Sequence, residues 1–468
     1  MRWDFSLRWR ALGDPVSEGR RVWEWIQRVR PLHPSLDLWR PTAESREEAE
    51  QSPPITQGYL LQYIRDAQAT SNFPDFGLAP AFSGQIGQGN KLELSFNLTR
   101  DSLVGFRCPP FFIAVLIALQ FLIYCAARAL LWQFRIQAPA QRKTLYVLTY
   151  ALCNGFTLAA LILRQSLLFR LNTALLVALL YIALTGLAVL VIGRIARRLR
   201  QPEKLGRDLR RIAPALLIAL FALSVYNAYT PVVRRVSIRI DKPLAQPIRI
   251  GMAADTHLGT LVGARQLDKL AQIMQQEKAD IILLPGDIMD DDIAAYTAEN
   301  MKPHLAKLRA PLGVYATLGN HDYFINPQAV TRAIEDAGIT VLHDQAILIN
   351  RQFWLIGRPD NLDTHRLPTA DLVRKTNPAQ PVILMDHRPD HVAEHARLPI
   401  DLQVSGHVHN GQIFPANFIA QTIYRPLSYG YQAIGNGHFV VTSGYGFWGI
   451  PFRLGSQSEV WIIEVRGK

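Results

Sequence analysis

The chain has 468 residues, 49% of them hydrophobic and 19% charged, with a formal net charge of +12. That length admits two or three domains, and its three cysteines, all in or beside apolar runs, argue against a disulfide framework or a zinc–thiolate site. Much of the positive charge flanks those apolar runs, where membrane proteins keep basic residues, so no nucleic-acid partner is expected.

Residues 1–108 hold five of the nine tryptophans and balanced charge, 13 Lys/Arg against 13 Asp/Glu. No apolar core follows the basic start, so no secretory signal is read. Nothing repeats, and the segment stays unassigned. No methionine lies between Met1 and Met252, so a non-ATG start near Leu103 or Val104 is an alternative expectation. Detection of peptides from residues 1–100 would refute it.

Four apolar stretches follow, at 111–127, 145–163, 171–193 and 212–230, each 17 to 23 residues long with no charge inside. About 20 such residues cross ~30 Å of hydrocarbon as a helix, so residues 109–235 are expected to form four transmembrane helices with the lipid bilayer as partner. Spans without ionisable groups suit an anchor better than an ion-coupled transporter or a channel. The connection between the third and fourth spans carries Arg194, Arg197, Arg198, Arg200, Lys204, Arg207, Arg210 and Arg211, and the first carries Arg128, Arg135, Arg142 and Lys143. The second has only Arg164 and Arg170. Basic loops stay cytoplasmic, which places both termini outside, although Arg234, Arg235, Arg239 and Lys242 pull the other way.

After residue 236 the pattern alternates short aliphatic runs with helical segments, and 11 of the 12 histidines lie there. Runs at 248–254, 281–285, 314–318, 382–385 and 402–405 read as strands. Each leads into polar residues: Asp255-Thr-His257, Gly286-Asp287 with Asp290, Gly319-Asn320-His321-Asp322, Asp386-His387, and Gly406-His407-Val-His409. Ligands at the carboxyl ends of successive strands converge on one rim of a sheet, where open α/β folds place their sites. A pair at i and i+2 leaving a strand points both side chains one way, so Asp255 with His257, and His407 with His409, can each meet one centre. The donors are carboxylate, imidazole and one amide, which favours Mn, Fe or Zn over structural zinc. Singly these motifs are weak; five in order at five strand ends are not.

This order of motifs resembles the calcineurin-like metallophosphoesterase superfamily, over about residues 236–468. The lead-in at 248–259 and the Gly- and aromatic-rich tail at 443–455 resemble its bacterial membrane-associated branch. The resemblance implies an α/β fold, a four-layer metallophosphoesterase sandwich, here preceded by a four-helix transmembrane region, with two divalent metal ions. It implies Asp255, His257 and His409 on one metal, Asn320, His387 and His407 on the other, and Asp287 bridging both. His321 would face the scissile phosphate without ligating. That branch usually follows Gly-His-x-His with two glycines before Gln, whereas this chain has Asn410-Gly411-Gln412, a departure that bears on substrate shape. Asp290 matches the motif, while Asp291 and Asp292 read as a solvated loop. His304, His343, His365, His391, His395 and His438 read as structural or surface residues.

The implied chemistry is in-line attack on phosphorus by a metal-bridging hydroxide, with His321 protonating or neutralising the leaving oxygen. Asp322, its neighbour, is expected to orient the imidazole. Mn is favoured, with Fe, Zn or Co as alternatives. A phosphodiester is the favoured substrate, from lipid or envelope material, with Phe447 and Trp448 either lining its pocket or packing in the core. The rival functions are a phosphomonoesterase, a pyrophosphatase acting on a lipid-linked nucleotide, and a non-catalytic membrane sensor. The expected location is a bacterial inner or plasma membrane with the catalytic region outside the cytoplasm.

Overall fold

The computed structural model describes residues 110–468, apart from 164, 197–200, 291–292 and 325, together with three short strands nearer the N-terminus. Those strands, β1 (Ser6–Arg8), β2 (Phe82–Gly87) and β3 (Lys91–Phe96), form an antiparallel sheet in the order β1-β3-β2. They belong to a unit of their own, Met1–Leu116. The alternative start near Leu103 falls outside the described residues, as do Cys108, Asp291 and Asp292.

Four helices carry the apolar stretches: α1 (Pro110–Gln133), α2 (Pro139–Leu163), α3 (Ser166–Ala196) and α4 (Pro202–Tyr229). All four are long and apolar enough to cross a membrane. Ile123, Cys153 and Leu179 pack in the bundle interior, while Leu152, Leu161 and Leu190 face outward, exposed. A contiguous apolar exterior of this extent suits hydrocarbon and would be a liability in water. Only Thr230 and Pro231 separate α4 from β4 (Val232–Arg239), so the bundle feeds directly into the C-terminal sheet.

That region holds two six-stranded sheets. The first runs β4-β15-β5-β6-β7-β8, and the second β13-β14-β12-β11-β10-β9. In the first, β5 (Ile248–Met252), β6 (Ile281–Pro285), β7 (Val314–Thr317) and β8 (Thr340–Val341) are parallel, and β15 (Glu459–Arg466) runs antiparallel to β5. In the second, β10 (Phe353–Arg358), β11 (Val382–Asp386), β12 (Leu402–Ser405) and β14 (Gly437–Val441) are parallel. The antiparallel strands β9 (Gln345–Ile349) and β13 (Gly430–Ile434) close its edges. Parallel neighbours need crossover connections, and the helices that supply them cover the outer faces.

Between β5 and β6 lies α5 (Ala264–Gln276), which buries Leu267, Leu270, Ala271 and Met274 at helical spacing. Its start is capped by Gln266 Oε1, which accepts from Gly263 N at 3.0 Å. The inner faces of the sheets meet through Ile250, Met252, Leu283, Phe353, Leu355, Ile383 and Val404. The outer face of the first sheet packs on α5 and α7 (Pro327–Glu335) through Leu284, Ala316, Val330 and Ile334. On the second sheet, Phe439 and Val441 pack with Val392 and Ala420. This is the expected four-layer α/β sandwich, with every site-bearing loop at one rim.

Candidate metal centre

The site is assembled by turns rather than by strand pleat. Strand β5 ends at Met252, before Asp255 and His257, which take left-handed backbone angles of φ 53° and 46°. Asp287, His407 and His409 do the same at φ 52°, 72° and 49°. Each such non-glycine residue costs about 1–3 kcal/mol and persists only where its surroundings hold it. Here Asp255 N donates to Gly286 O at 3.0 Å and His257 N to Asp287 O at 3.1 Å. Two glycines make the close approach feasible. A Cβ on Gly319 would meet Asp287 Oδ1 and His387 Nε2, and one on Gly406 would meet Asp255 Oδ2.

Asp255, His257 and His409 bring ligand-type atoms within 4.8 Å of one another, and Asp287, His387 and His407 form a second such group. His257 Nε2 and His409 Nε2 are 3.0 Å apart. Asp287 Oδ2 lies between the groups, 3.1 Å from His387 Nε2 and 3.9 Å from His257 Nε2. The expectation that His407 and His409 meet one centre is corrected. The left-handed turn at each sends them to different groups, and His407 Nε2 contacts Tyr424 Oη at 3.0 Å. Asn320 is buried at the start of α6 (Asn320–Phe324). Its Oδ1 and Asp255 Oδ2 are buried acceptors with no hydrogen-bond partner. Leaving such atoms unsatisfied is expensive, and a cation satisfies them. The donor set fits two divalent ions.

The electrostatics agree. Burial would raise the Asp287 carboxyl, but the imidazoles of His387, His257 and His321 outweigh it and hold it well below the usual range. Burial raises Asp255. Burial, reinforced by His387 and Arg388, pushes His407 down to about 2; burial, His257 and Arg453 hold His409 well below its ordinary value. Both are therefore neutral at pH 7, the form that can ligate. Burial would also lower His387, yet Asp287 and Asp255 carry it up to about 10. A cation entering there would displace that proton.

His321 sits at the mouth, half-buried, its ring 4.8 Å from that of His257. Its backbone N–H donates to Asp287 Oδ1 at 2.9 Å. Its Nδ1 lies 3.3 Å from Asp290 Oδ1, which also contacts His257 Nδ1 at 3.0 Å. Asp322 does not orient the imidazole as expected. Its carboxylate accepts from the backbone N–H groups of Ile288, Met289 and Gly319, at 2.8–3.2 Å, pinning the loops after β6 and β7 together. Burial, with the charge of Asp287, pushes Asp322 up to about 6.

Three weaker candidates separate. Phe447 is buried against Tyr229 at 5.2 Å and belongs to the core. Asn410 spends its amide on Gly455 O at 3.3 Å. Trp448 is exposed beside the site, its ring 6.4 Å from His321 and 6.4 Å from Phe169 of α3. Gln412 clamps it through the Trp448 backbone, accepting from N at 2.9 Å and donating to O at 3.0 Å. Arg453 escaped sequence reasoning: it is fully buried, with Nη2 3.1 Å from His409 Nδ1 and donating to Gly444 O and Gly446 O. A lone arginine in an apolar, glycine-rich tail was the available signal. His395, expected to be structural, is buried between Thr369 and Gln403.

The calcineurin-like phosphoesterase family matches residues 248–411. An uncharacterized metallophosphoesterase of Aquifex aeolicus (strain VF5) is 30% identical over 264 residues, which cover 54% of this chain and 98% of that protein. A Danio rerio transmembrane protein with metallophosphoesterase domain is 27% identical over 300 residues, 59% of this chain and 68% of that protein. A solved 5'-nucleotidase precursor from Thermus thermophilus is similar at TM-score 0.31 and 14% identity, covering 47% of this chain and 55% of that one.

Proposed function

The chain belongs to the calcineurin-like metallophosphoesterases, hydrolases of phosphate esters, and from that premise we propose that it is a membrane-anchored, dinuclear phosphodiesterase. Residues 109–235 are the tether, 236–468 the catalytic region, and 1–108 remain unassigned. The observation that carries the reading is Asp287, which groups with His387 and His407 on one side and with His257 and His321 on the other, beside buried Asp255 Oδ2 and Asn320 Oδ1 that have no hydrogen-bond partner. Asp255, His257 and His409 would hold one cation, Asn320, His387 and His407 the other, with Asp287 on both and Mn favoured. Bound there, the cations supply Lewis acidity toward phosphoryl oxygens and make water nucleophilic near neutral pH.

The chain's own residues do the rest. His321, at the mouth and oriented by Asp290, is placed to give a proton to the departing alcohol oxygen. A complete donor set argues against a sensor that merely binds ligand. For sidedness, the C-terminal region adjoins the end of α4 at Tyr229. Arg210, near the opposite end of α4, stacks on Trp132 of α1 at 5.1 Å, on the side of the Arg-rich connection. Basic loops favour the cytoplasm, so the catalytic region faces outward, in a bacterial inner or plasma membrane.

The test is metal content and hydrolysis by the full chain in detergent, against panels of mono- and diesters. The expectation is two metals per chain and faster diester cleavage. Full activity after chelation would end the metal reading, and faster monoester cleavage would make the protein a phosphomonoesterase.

A further inference from the structure

We infer that the substrate is a phosphate ester borne by a lipid of the same bilayer, drawn from the leaflet into which the segments around 413–423 and 448–454 dip. This rests on the phosphoesterase reading of the metal centre. Helix α3 meets the C-terminal region along its first half. Phe169 in its first turn packs on Trp448, and Tyr181 packs on Phe452 at 6.5 Å. Twelve residues of helix separate these contacts, about 18 Å at 1.5 Å per residue. Half of a ~30 Å hydrocarbon layer is about 15 Å. With Phe169 at the membrane surface, Phe452 therefore reaches the mid-plane.

The neighbours agree on that depth. Tyr181 and Phe221 lie near the middles of their apolar stretches, 171–193 and 212–230, and Phe221 packs on Phe452 at 5.5 Å. Ile413, Ile450 and Leu454 join the same cluster with Val177 and Leu217. Irregular backbone at this depth must find its hydrogen bonds within protein, and it does. Arg453 N donates to Ser224 O at 3.0 Å, Leu454 N to Gln412 O at 3.0 Å, and Phe414 N to Leu454 O at 2.7 Å.

Beside this wedge, α8 (Ala416–Ile423) leaves Phe418, Ile419 and Ile423 exposed at 57%, 54% and 65%. Ile419 and Ile423, at i and i+4, share one helical face, and beside them Phe418 packs on Phe414 at 5.7 Å, next to Ile413 of the cluster that α3 and α4 line. Acyl chains are the occupant that such adjacency selects. Above it, the reacting site opens between two more exposed rings, Trp448 and Phe324, the latter 5.5 Å from His321. At the level of Phe169, Arg170 donates to Thr260 Oγ1 at 2.6 Å and approaches Asp290 to 4.0 Å. The phosphate site thus lies at headgroup level, with an apolar track descending from it. A water-soluble ester requires neither wedge nor track. In the reaction, a water oxygen bonds to phosphorus while the P–O bond to the alcohol breaks. The alcohol oxygen leaves with that electron pair and takes up a proton.

The test uses the Mn-loaded full chain in phosphatidylcholine nanodiscs and two diesters that release the same nitrophenol: water-soluble bis(p-nitrophenyl) phosphate and bilayer-borne dioleoylphosphatidyl-p-nitrophenol. The lipid diester should be cleaved at least tenfold more efficiently. The double variant F418D/I423D should lose at least tenfold on it and stay within twofold on the soluble diester. Cleavage of the soluble diester alone, or equal losses on both, would overturn the inference; cleavage of neither would sink the phosphoesterase reading and this inference with it. A nitroxide at position 418 (F418C in a chain lacking Cys108, Cys125 and Cys153) decides the depth without any activity. Collision with oxygen in preference to an aqueous nickel complex supports the buried face, and the reverse overturns it.

Discussion

Replacing Asp290 with Asn tests whether one carboxylate oxygen tunes both a metal-side imidazole and the proposed acid. Asp290 Oδ1 lies 3.0 Å from His257 Nδ1 and 3.3 Å from His321 Nδ1. A carboxylate there keeps the proton of His257 on Nδ1 and turns the Nε2 lone pair inward, toward His409 Nε2. D290N preserves the shape and one acceptor but removes the charge that makes the imidazole a stronger donor. Loss of such a partner typically costs 10–100-fold in metal affinity, about 1.4–2.7 kcal/mol at 1.36 kcal/mol per tenfold. The Asp290 side chain is only 10% exposed, which places the effect toward the upper end. The assay is Mn competition against a chromophoric chelator with the full chain in detergent, beside rates at saturating Mn. Affinity should fall chiefly at one of the two sites, the one His257 serves. Two Mn bound with wild-type affinity and an unchanged rate would refute the argument.

Asp287→Ala should be the most damaging ligand change, abolishing both activity and the second bound metal, because one carboxylate serves both cations and balances their repulsion; metal analysis beside rates checks it. His321→Ala should keep its metal content and lose ~10²–10⁴-fold in rate, more on an alkyl diester than on a nitrophenyl one, since nitrophenolate departs without a proton. In the metal-free protein, Asp322 has its carboxyl raised from 3.8 to about 6 by burial and Asp287. The folded state then holds a proton that the unfolded state has lost, so wild-type stability relative to D322N should fall as pH rises through that window, as paired melting curves would show. A fluorescent protein that matures only in the cytoplasm, fused after Lys468, should stay dark, and bright cells would reverse the orientation.

Strands β6 and β11 were legible because both faces of a parallel strand are buried, so they read as aliphatic runs. The edges were not. Strand β4 is Val-Val-Arg-Arg-Val-Ser-Ile-Arg, mostly exposed or half-buried, and its alternation is too charged to suggest a core element. Strand β15 opens on Glu459, whose carboxylate is fully buried and accepts from Thr442 Oγ1, Ser443 N, Trp461 Nε1 and Tyr429 Oη. A buried carboxylate with that many donors is stable, but beyond Trp461 of its own strand these partners come from two other stretches of chain. The four long apolar helices were the easiest part, since length and lack of charge alone mark them as able to cross a membrane.

The site shows the same division between local and non-local information. The seven proposed ligands follow five strands, so each is read from its own stretch of sequence, whereas the orienting partner of His321 depends on which strands are neighbours. His321 and Asp322 lie in the short helix α6, where adjacent residues diverge by about 100° and cannot face one another. Asp322 therefore turns back to the backbone N–H of Gly319, three residues earlier. The first sheet places β6 between β5 and β7. The loop after β6 consequently lies between the loop that carries His257 and the helix that carries His321. A carboxylate a few residues past β6 can reach the Nδ1 of both imidazoles, and Asp290 does so. Chain order alone pairs His321 with its neighbour; sheet order pairs it with a residue more than thirty positions away.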